Sequence, residues 1–150
     1  MPIVKEIEEN KDYYLYSWKT KQGIWTFKEA GYHYVVAANY KGDMGDPVKF
    51  ELSDIKGDNG EKLYYIKFTN PPEAKTPYVT RDSNGWVYLA KREDATPWFV
   101  FIQGTGLAFF LYYSREPGGY FRWLDRSDVR WLTTDGVQND RTLFEIHSVE

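Results

Sequence analysis

The feature that most constrains this chain is a rhythm of short aromatic-rich runs separated by polar or glycine- and proline-bearing turns. It is plainest at the end, where Tyr120–Leu124, Val129–Leu132 and Leu143–Ile146 are divided by polar residues. The same rhythm runs through Pro77–Ile102 (PYVTRDSNGWVYLAKREDATPWFVFI) and through Tyr13–Leu52. Overlaying Val100-Phe101-Ile102 on Phe50-Glu51-Leu52 and on Phe144-Glu145-Ile146 gives offsets of about 50 and about 44 residues, within the range expected of structural repeats. Three repeats follow, at residues 2–53, 62–103 and 107–149.

Each repeat reads as strands, because aromatic and β-branched side chains suit a pleated, half-buried surface. Extended segments are expected at Pro2–Ile7, Tyr13–Trp18, Ile24–Phe27, Tyr32–Ala38 and Val48–Leu52 in the first unit. The second offers Leu63–Phe68, Tyr78–Thr80, Trp86–Ala90 and Trp98–Ile102; the third opens at Phe109–Tyr113 and turns through Glu116–Gly119 into the closing stretch. Asn59-Gly60 supplies the left-handed conformations of a tight hairpin. Val4–Asn10, the best helical window, is too short and uncapped to compete. Propellers need more than three blades, whereas three four-stranded units can close a six-stranded barrel under a three-hairpin cap, with no exposed sheet edge. The expected fold class is all-β, a β-trefoil of three four-stranded repeats in one domain spanning residues 1–150; a β-sandwich also accommodates many short strands.

Composition limits the functions open to such a fold. With 22 acidic against 19 basic residues and a net charge of −3, the basic excess of a nucleic-acid surface is missing. There is no cysteine, which excludes disulfides and thiol chemistry. The opening MPIVKEIEENK places charges where a signal peptide carries an apolar run, and no stretch reaches membrane-spanning length. The expectation is a cytoplasmic or nucleocytoplasmic protein without membrane insertion.

The pieces DPVKFEL, PYVTRDSNGWVYLAKREDATPWFVFI and YFRWLDRSDVRWLTTDGVQNDRTLFEI resemble the agglutinin domain of the amaranthin family of plant lectins. Units of that family similarly run from a Lys/Tyr-rich strand through an Arg-Trp pair into a loop closing on a Phe-Glu or Phe-x strand. The opening PIVKEIEENKDYYLYSW resembles that domain's start, which makes Pro2–Ile7 strand one and Tyr13–Trp18 strand two. The resemblance implies a β-trefoil, plant defence, and binding of glycans that contain galactose or N-acetylgalactosamine. The family's namesake uses two such domains and a site at a dimer interface. This chain carries one domain, so no ligand residue is carried over by position.

Enzymatic chemistry finds little footing. There is no G-x-S-x-G elbow, P-loop or H-E-x-x-H. His33 and His147 are too few and too isolated for a metal site. Asp54–Glu61 lacks calcium-loop spacing and reads as a solvated turn. No enzyme, metal or cofactor is expected. Saccharide binding, by contrast, needs aromatic rings for a sugar's apolar face and polar side chains for its hydroxyls. The candidates are Trp25, Tyr32, His33 and Asn39 in the first unit, Asn84 and Trp86 in the second, and Asp128, Trp131, Asn139 and Arg141 in the third, with Gln138 nearby. Most other aromatics build the core, Trp98, Phe99, Phe101 and Phe144 among them. In Val129-Arg130-Trp131-Leu132, Trp131 faces outward if Leu132 faces the core. The expected partners are glycans or glycoproteins, met through several sites or a homo-oligomer such as a homodimer. Two other classes stay open: a cysteine-free trefoil protease inhibitor or interaction module acting through loops 39–47 and 70–77, and the targeting domain of a larger toxin.

Overall fold

The computed structural model describes residues 3–57, 59–112, 119–136 and 139–149. Residues 116–118 of the turn expected at Glu116–Gly119, together with Tyr113 and Gln138, lie outside the described residues.

Among the described residues twelve strands follow one another: β1 Tyr13–Ser17, β2 Ile24–Glu29, β3 Tyr32–Ala37, β4 Val48–Leu52, β5 Tyr64–Phe68, β6 Tyr78–Arg81, β7 Val87–Ala90, β8 Trp98–Ile102, β9 Leu107–Tyr112, β10 Tyr120–Arg126, β11 Val129–Asp135 and β12 Phe144–Ser148. The helical pieces among the described residues are two three-residue 3-10 turns, Arg92–Asp94 and Asp140–Thr142. Six strands pair in a ring. β1 meets β4 at Tyr13↔Val48, β4 runs antiparallel to β5, and β5 meets β8 at Tyr64↔Trp98. β8 then pairs β9, β9 meets β12 at Phe144↔Ala108, and β12 returns along the whole of β1. Every barrel strand therefore has a neighbour on each side, which leaves no edge to recruit another chain.

The other six strands form the hairpins β2–β3, β6–β7 and β10–β11. Single pairings, Tyr34↔Tyr88, Trp131↔Val36 and Trp86↔Thr133, join them into a cap. Barrel and cap together are a β-trefoil-like all-β fold.

Alternation decides what enters the core. On β1, Tyr13, Leu15 and Ser17 point inward while Tyr14 and Tyr16 are half-exposed. The centre is aromatic: the Phe110 ring stacks on Phe50 at 6.3 Å and on Phe121 at 5.4 Å, and Trp123 lies against Phe144 at 5.9 Å. Each such fully buried side chain contributes about 1.5–3 kcal/mol.

Two expectations are corrected. Residues 3–7, the described part of the strand expected at Pro2–Ile7, form no strand: Ile3 makes one isolated bridge to His147, and the first barrel strand is Tyr13–Ser17. Phe99 and Phe101 are not core. The β8 residues Trp98, Val100 and Ile102 take the inward positions, which leaves Phe99 and Phe101 stacked at 6.3 Å outside, Phe101 48% exposed.

Candidate functional site

The cap hairpins alternate as the barrel does, and that places their aromatics on one outer face. Val35 and Ala37 of β3 belong to the core, so Tyr32, Tyr34 and Val36 project from the other side. On β7, inward Val87 and Leu89 leave Tyr88, with Trp86 just before the strand, facing out. On β2, inward Ile24 leaves Trp25 and Phe27 opposite. On β11, Leu132 is buried and Trp131 faces away from it.

Trp131 is the hub of this face. Its ring meets Phe27 at 5.6 Å, Tyr34 at 5.7 Å and Trp86 at 5.9 Å, each nearly edge-on. Its indole Nε1 donates to the Arg126 carbonyl at 3.0 Å, which fixes the ring's tilt. The Arg126 guanidinium lies 5.9 Å from the Trp86 ring centroid. Glu29, Tyr34, Trp86, Arg126, Ser127 and Trp131 enclose an open hollow of about 310 Å³. Ring faces beside one carboxylate and one guanidinium can hold a ligand with an apolar face and several hydroxyls.

A larger groove of about 600 Å³ adjoins it, running from Gln22, Phe27 and Asn39 to the Asp125–Arg130 turn. Its charges are largely engaged. Arg130 Nε donates to Asp125 Oδ1 at 2.8 Å and Arg141 Nη2 lies 3.2 Å from Asp125 Oδ2. The hydrogen bond from Arg130 outweighs the opposing effect of burial and, helped by the weaker bond from Arg141, holds the Asp125 carboxyl below the usual range. Arg130 also donates to Gln22 Oε1, and Gln22 Nε2 donates to the Ala38 carbonyl at 2.6 Å. A third hollow, about 150 Å³, is lined by Tyr32, Tyr34, Asp82 and Tyr88. Burial, ahead of the neighbouring phenol and carboxylate charges, pushes the Tyr34 and Tyr88 phenols up.

Of the residues expected from sequence, Tyr32, Trp86 and Trp131 share the aromatic face, with Trp25 half-buried on the same side of β2. Asn39 and Asp128 line the adjoining groove. The others have structural partners. His33 leaves the opposite face of β3 and bonds Glu73 at 3.2 Å. Asn84 is exposed in a turn where its N–H donates to Asp82 Oδ1. Asn139 caps the 3-10 turn, accepting from the Arg141 N–H at 2.8 Å while its own N–H donates to Thr142 Oγ1 at 3.0 Å. Arg141 braces Asp125 and reaches the Trp123 carbonyl. Phe27, Glu29, Tyr34 and Tyr88 complete the face without having been singled out, and Arg126, a polar loop residue of the third unit, joins them. The period-two signal could have found Tyr34 and Tyr88, which stand two residues from Tyr32 and Trp86.

Loop 39–47, a candidate inhibitor loop, is pinned to the fold: Gly42 N–H donates to the Lys21 carbonyl at 2.6 Å and Asp46 N–H to the Ile24 carbonyl at 2.9 Å, while Gly23 N–H reaches the Asp43 carbonyl at 2.7 Å. Tyr40 is left at its exposed tip.

No protein-family model matches the chain, and a comparison with curated proteins finds no match. Solved structures do match. The lysenin pore superposes with a TM-score of 0.72 at 13% identity, covering 100% of this chain and 50% of that one. Trypsin inhibitor 1 from Senna obtusifolia gives 0.71 at 13% identity, covering 99% and 94%. Type II water-soluble chlorophyll-binding proteins give 0.74 at 12% identity, with 100% of both chains covered. The chain spans about half the length of the lysenin chains it matches. At such identities the likeness shows a shared β-trefoil-like all-β fold.

Proposed function

We propose that this chain is a non-enzymatic, carbohydrate-binding lectin of amaranthin-like type, a single domain of three four-stranded repeats, which takes glycans on the outer face of its cap. The observation that carries the proposal is the outward cluster around Trp131 and Trp86 beside Glu29 and Arg126. A pyranose lays its C–H face on an indole or phenol ring, while the carboxylate accepts from and the guanidinium donates to its hydroxyls. Galactose- or N-acetylgalactosamine-containing glycans are the first to test, because the family resemblance implies them. A shallow site of this kind contributes about 4–5 kcal/mol, a Kd near 0.1–1 mM, so useful avidity needs several sites or a homodimer. A cytoplasmic location belongs to the same proposal.

The test is a glycan array followed by titration of the best binder. Trp86→Ala and Trp131→Ala should each weaken binding at least about tenfold, the loss of one ring platform. A folded protein that binds nothing on the array sinks the proposal.

The fold likeness favours two further readings, each with its own assay. A trypsin inhibitor shares the fold over 99% of this chain, and inhibition of trypsin would transfer the function to an exposed loop such as 70–77. The half-length match to the lysenin pore supports a targeting domain of a larger toxin, which the length of the full gene would reveal.

A further inference from the structure

Beside the Trp131 hollow, three tyrosines of the cap form a corner. Tyr32 and Tyr34 leave the same side of β3, and Tyr88 stands opposite Tyr34 where β3 meets β7. Their ring centroids are 5.3 Å apart for Tyr32–Tyr88, 6.0 Å for Tyr34–Tyr88 and 6.3 Å for Tyr32–Tyr34. The corresponding interplanar angles are 71°, 53° and 70°. Three steeply inclined planes at that spacing resemble the inside corner of a box, and the hollow of about 150 Å³ between them has Asp82 as its fourth wall.

The size and charge of this corner select an occupant. A point just off the plane of the three centroids lies roughly 4 Å from each, inside the ~6 Å over which a cation is drawn to an aromatic ring. A flat sugar ring needs one broad platform, whereas the corner fits a compact, nearly spherical group. Asp82 is fixed at its rim, because Oδ1 accepts from the N–H groups of Asn84 at 2.8 Å and Trp86 at 3.0 Å. Glu29 and Asp94 add negative potential at the phenols, and all of these charges oppose phenol ionisation in the same sense as burial does. The corner therefore favours positive charge. A primary ammonium carries three N–H donors, and Asp82 at the rim would replace only part of the strong hydration it gives up on entering among ring faces. A quaternary ammonium has no N–H to satisfy and can rest its methyl groups on the ring faces.

We propose that Tyr32, Tyr34, Tyr88 and Asp82 form an aromatic cage for the trimethylammonium group of a choline-type ligand. The cage shares only Tyr34 with the Trp131 hollow and stands independently of the glycan reading.

The test is a fluorescence titration of the full chain with choline chloride at constant ionic strength, run beside the neutral tert-butyl analogue of choline. Saturable choline binding is expected, about tenfold tighter than that of the neutral analogue. Tyr32 is 53% exposed, so Tyr32→Ala should keep the fold while weakening choline binding roughly 3–30-fold, and Tyr32→Phe should retain it. Asp82→Asn keeps the turn's acceptor and should weaken binding several-fold. Co-sedimentation with phosphatidylcholine but not phosphatidylglycerol vesicles would identify the source as a lipid headgroup; binding of choline alone would identify a free small molecule. Absence of saturable choline binding by the folded protein overturns the cage, as does equal binding of the neutral analogue or an unchanged affinity in Tyr32→Ala.

Discussion

Leu132 and Trp131 are adjacent on β11 and face opposite ways: Leu132 is 2% exposed in the core, while Trp131 stands on the cap's outer face among Phe27, Tyr34 and Trp86. A ring packed edge-on against other rings outside the core should be worth less to stability than one inside it. Trp131→Ala is expected to cost about 1–2 kcal/mol through lost ring contacts. Trp123→Ala, at a fully buried position, should cost about 3–5 kcal/mol. In a chain of this size each kcal/mol moves Tm by about 2–4 °C. Denaturant melts of both variants, set beside glycan titrations, check the contrast. If Trp131→Ala is as damaging as Trp123→Ala, Trp131 is a structural residue.

That opposition was legible as a condition on alternation, and Leu132 resolved it. Other parts of the fold left no local trace. The ring closes at Tyr13↔Val48, at Tyr64↔Trp98 and at the two-residue pairing Phe144↔Ala108 and Glu145↔Leu107, long-range registers that no short window of sequence encodes. Phe101 was legible and missed. The overlay of repeats set it against Glu51 and Glu145, but its aromatic character outweighed that register. Asn139 looked like a sugar ligand because it is polar and near the third unit's aromatics. Its spacing from Thr142 is also that of a capping pair, and this is the role it plays. The aromatic face itself arises from three hairpins distant in sequence, so residues such as Phe27 and Trp131 become neighbours through tertiary packing alone.

Loop 39–47 should depend on a small residue at position 23. A methyl group on Gly23 would run into the carbonyl of Met44 and the amide of Gly45, both backbone and unable to swing aside. Gly23→Ala should therefore cost at least about 1–3 kcal/mol. It should also disturb the groove wall formed by Gln22, Ala38 and Asn39. Gly31→Ala is the control: its φ of +85° is unfavourable for alanine but its surroundings are open, so the expected cost is about 1–2 kcal/mol from backbone strain alone. Thermal melts showing Gly23→Ala no worse than Gly31→Ala would refute the packing argument.

Acid should weaken the fold through particular carboxylates. Asp125 is held low by its hydrogen bond from Arg130, and Asp12 by its hydrogen bond from Lys49. A carboxylate whose folded pKa lies below its unfolded value, near 3.9, adds stability above that value. The gain fades as pH falls through the folded pKa. Asp125 is half-exposed, so screening keeps its share small, and added salt should shrink it further. Asp125→Asn and Asp12→Asn should each flatten the fall in stability below about pH 4. Asp46 has the opposite sign, since burial and then Asp43 raise its pKa. Asp46→Asn should stabilise the protein slightly at neutral pH and lose that advantage as pH falls through the raised value. Urea midpoints measured across the acid range separate the two behaviours.

The turn between β10 and β11 carries a conflict between stability and binding. Its two central residues, Ser127 and Asp128, both adopt left-handed backbone, with φ of 53° and 63°. Tight hairpins need that geometry, and glycine usually supplies it at one or both positions. Asp128 occupies such a position without being glycine, at a cost of roughly 1 kcal/mol in strain. It also lines the large groove beside the aromatic face. Asp128→Gly should relieve the strain and raise stability by about 0.5–1 kcal/mol after glycine's greater freedom in the unfolded chain is counted. If the carboxylate bonds a sugar hydroxyl, the same variant should weaken glycan binding several-fold, and Asp128→Asn should weaken it less. A variant that melts higher and binds glycan as tightly as before would make Asp128 a turn residue alone and restrict the binding surface to the rings around Trp131.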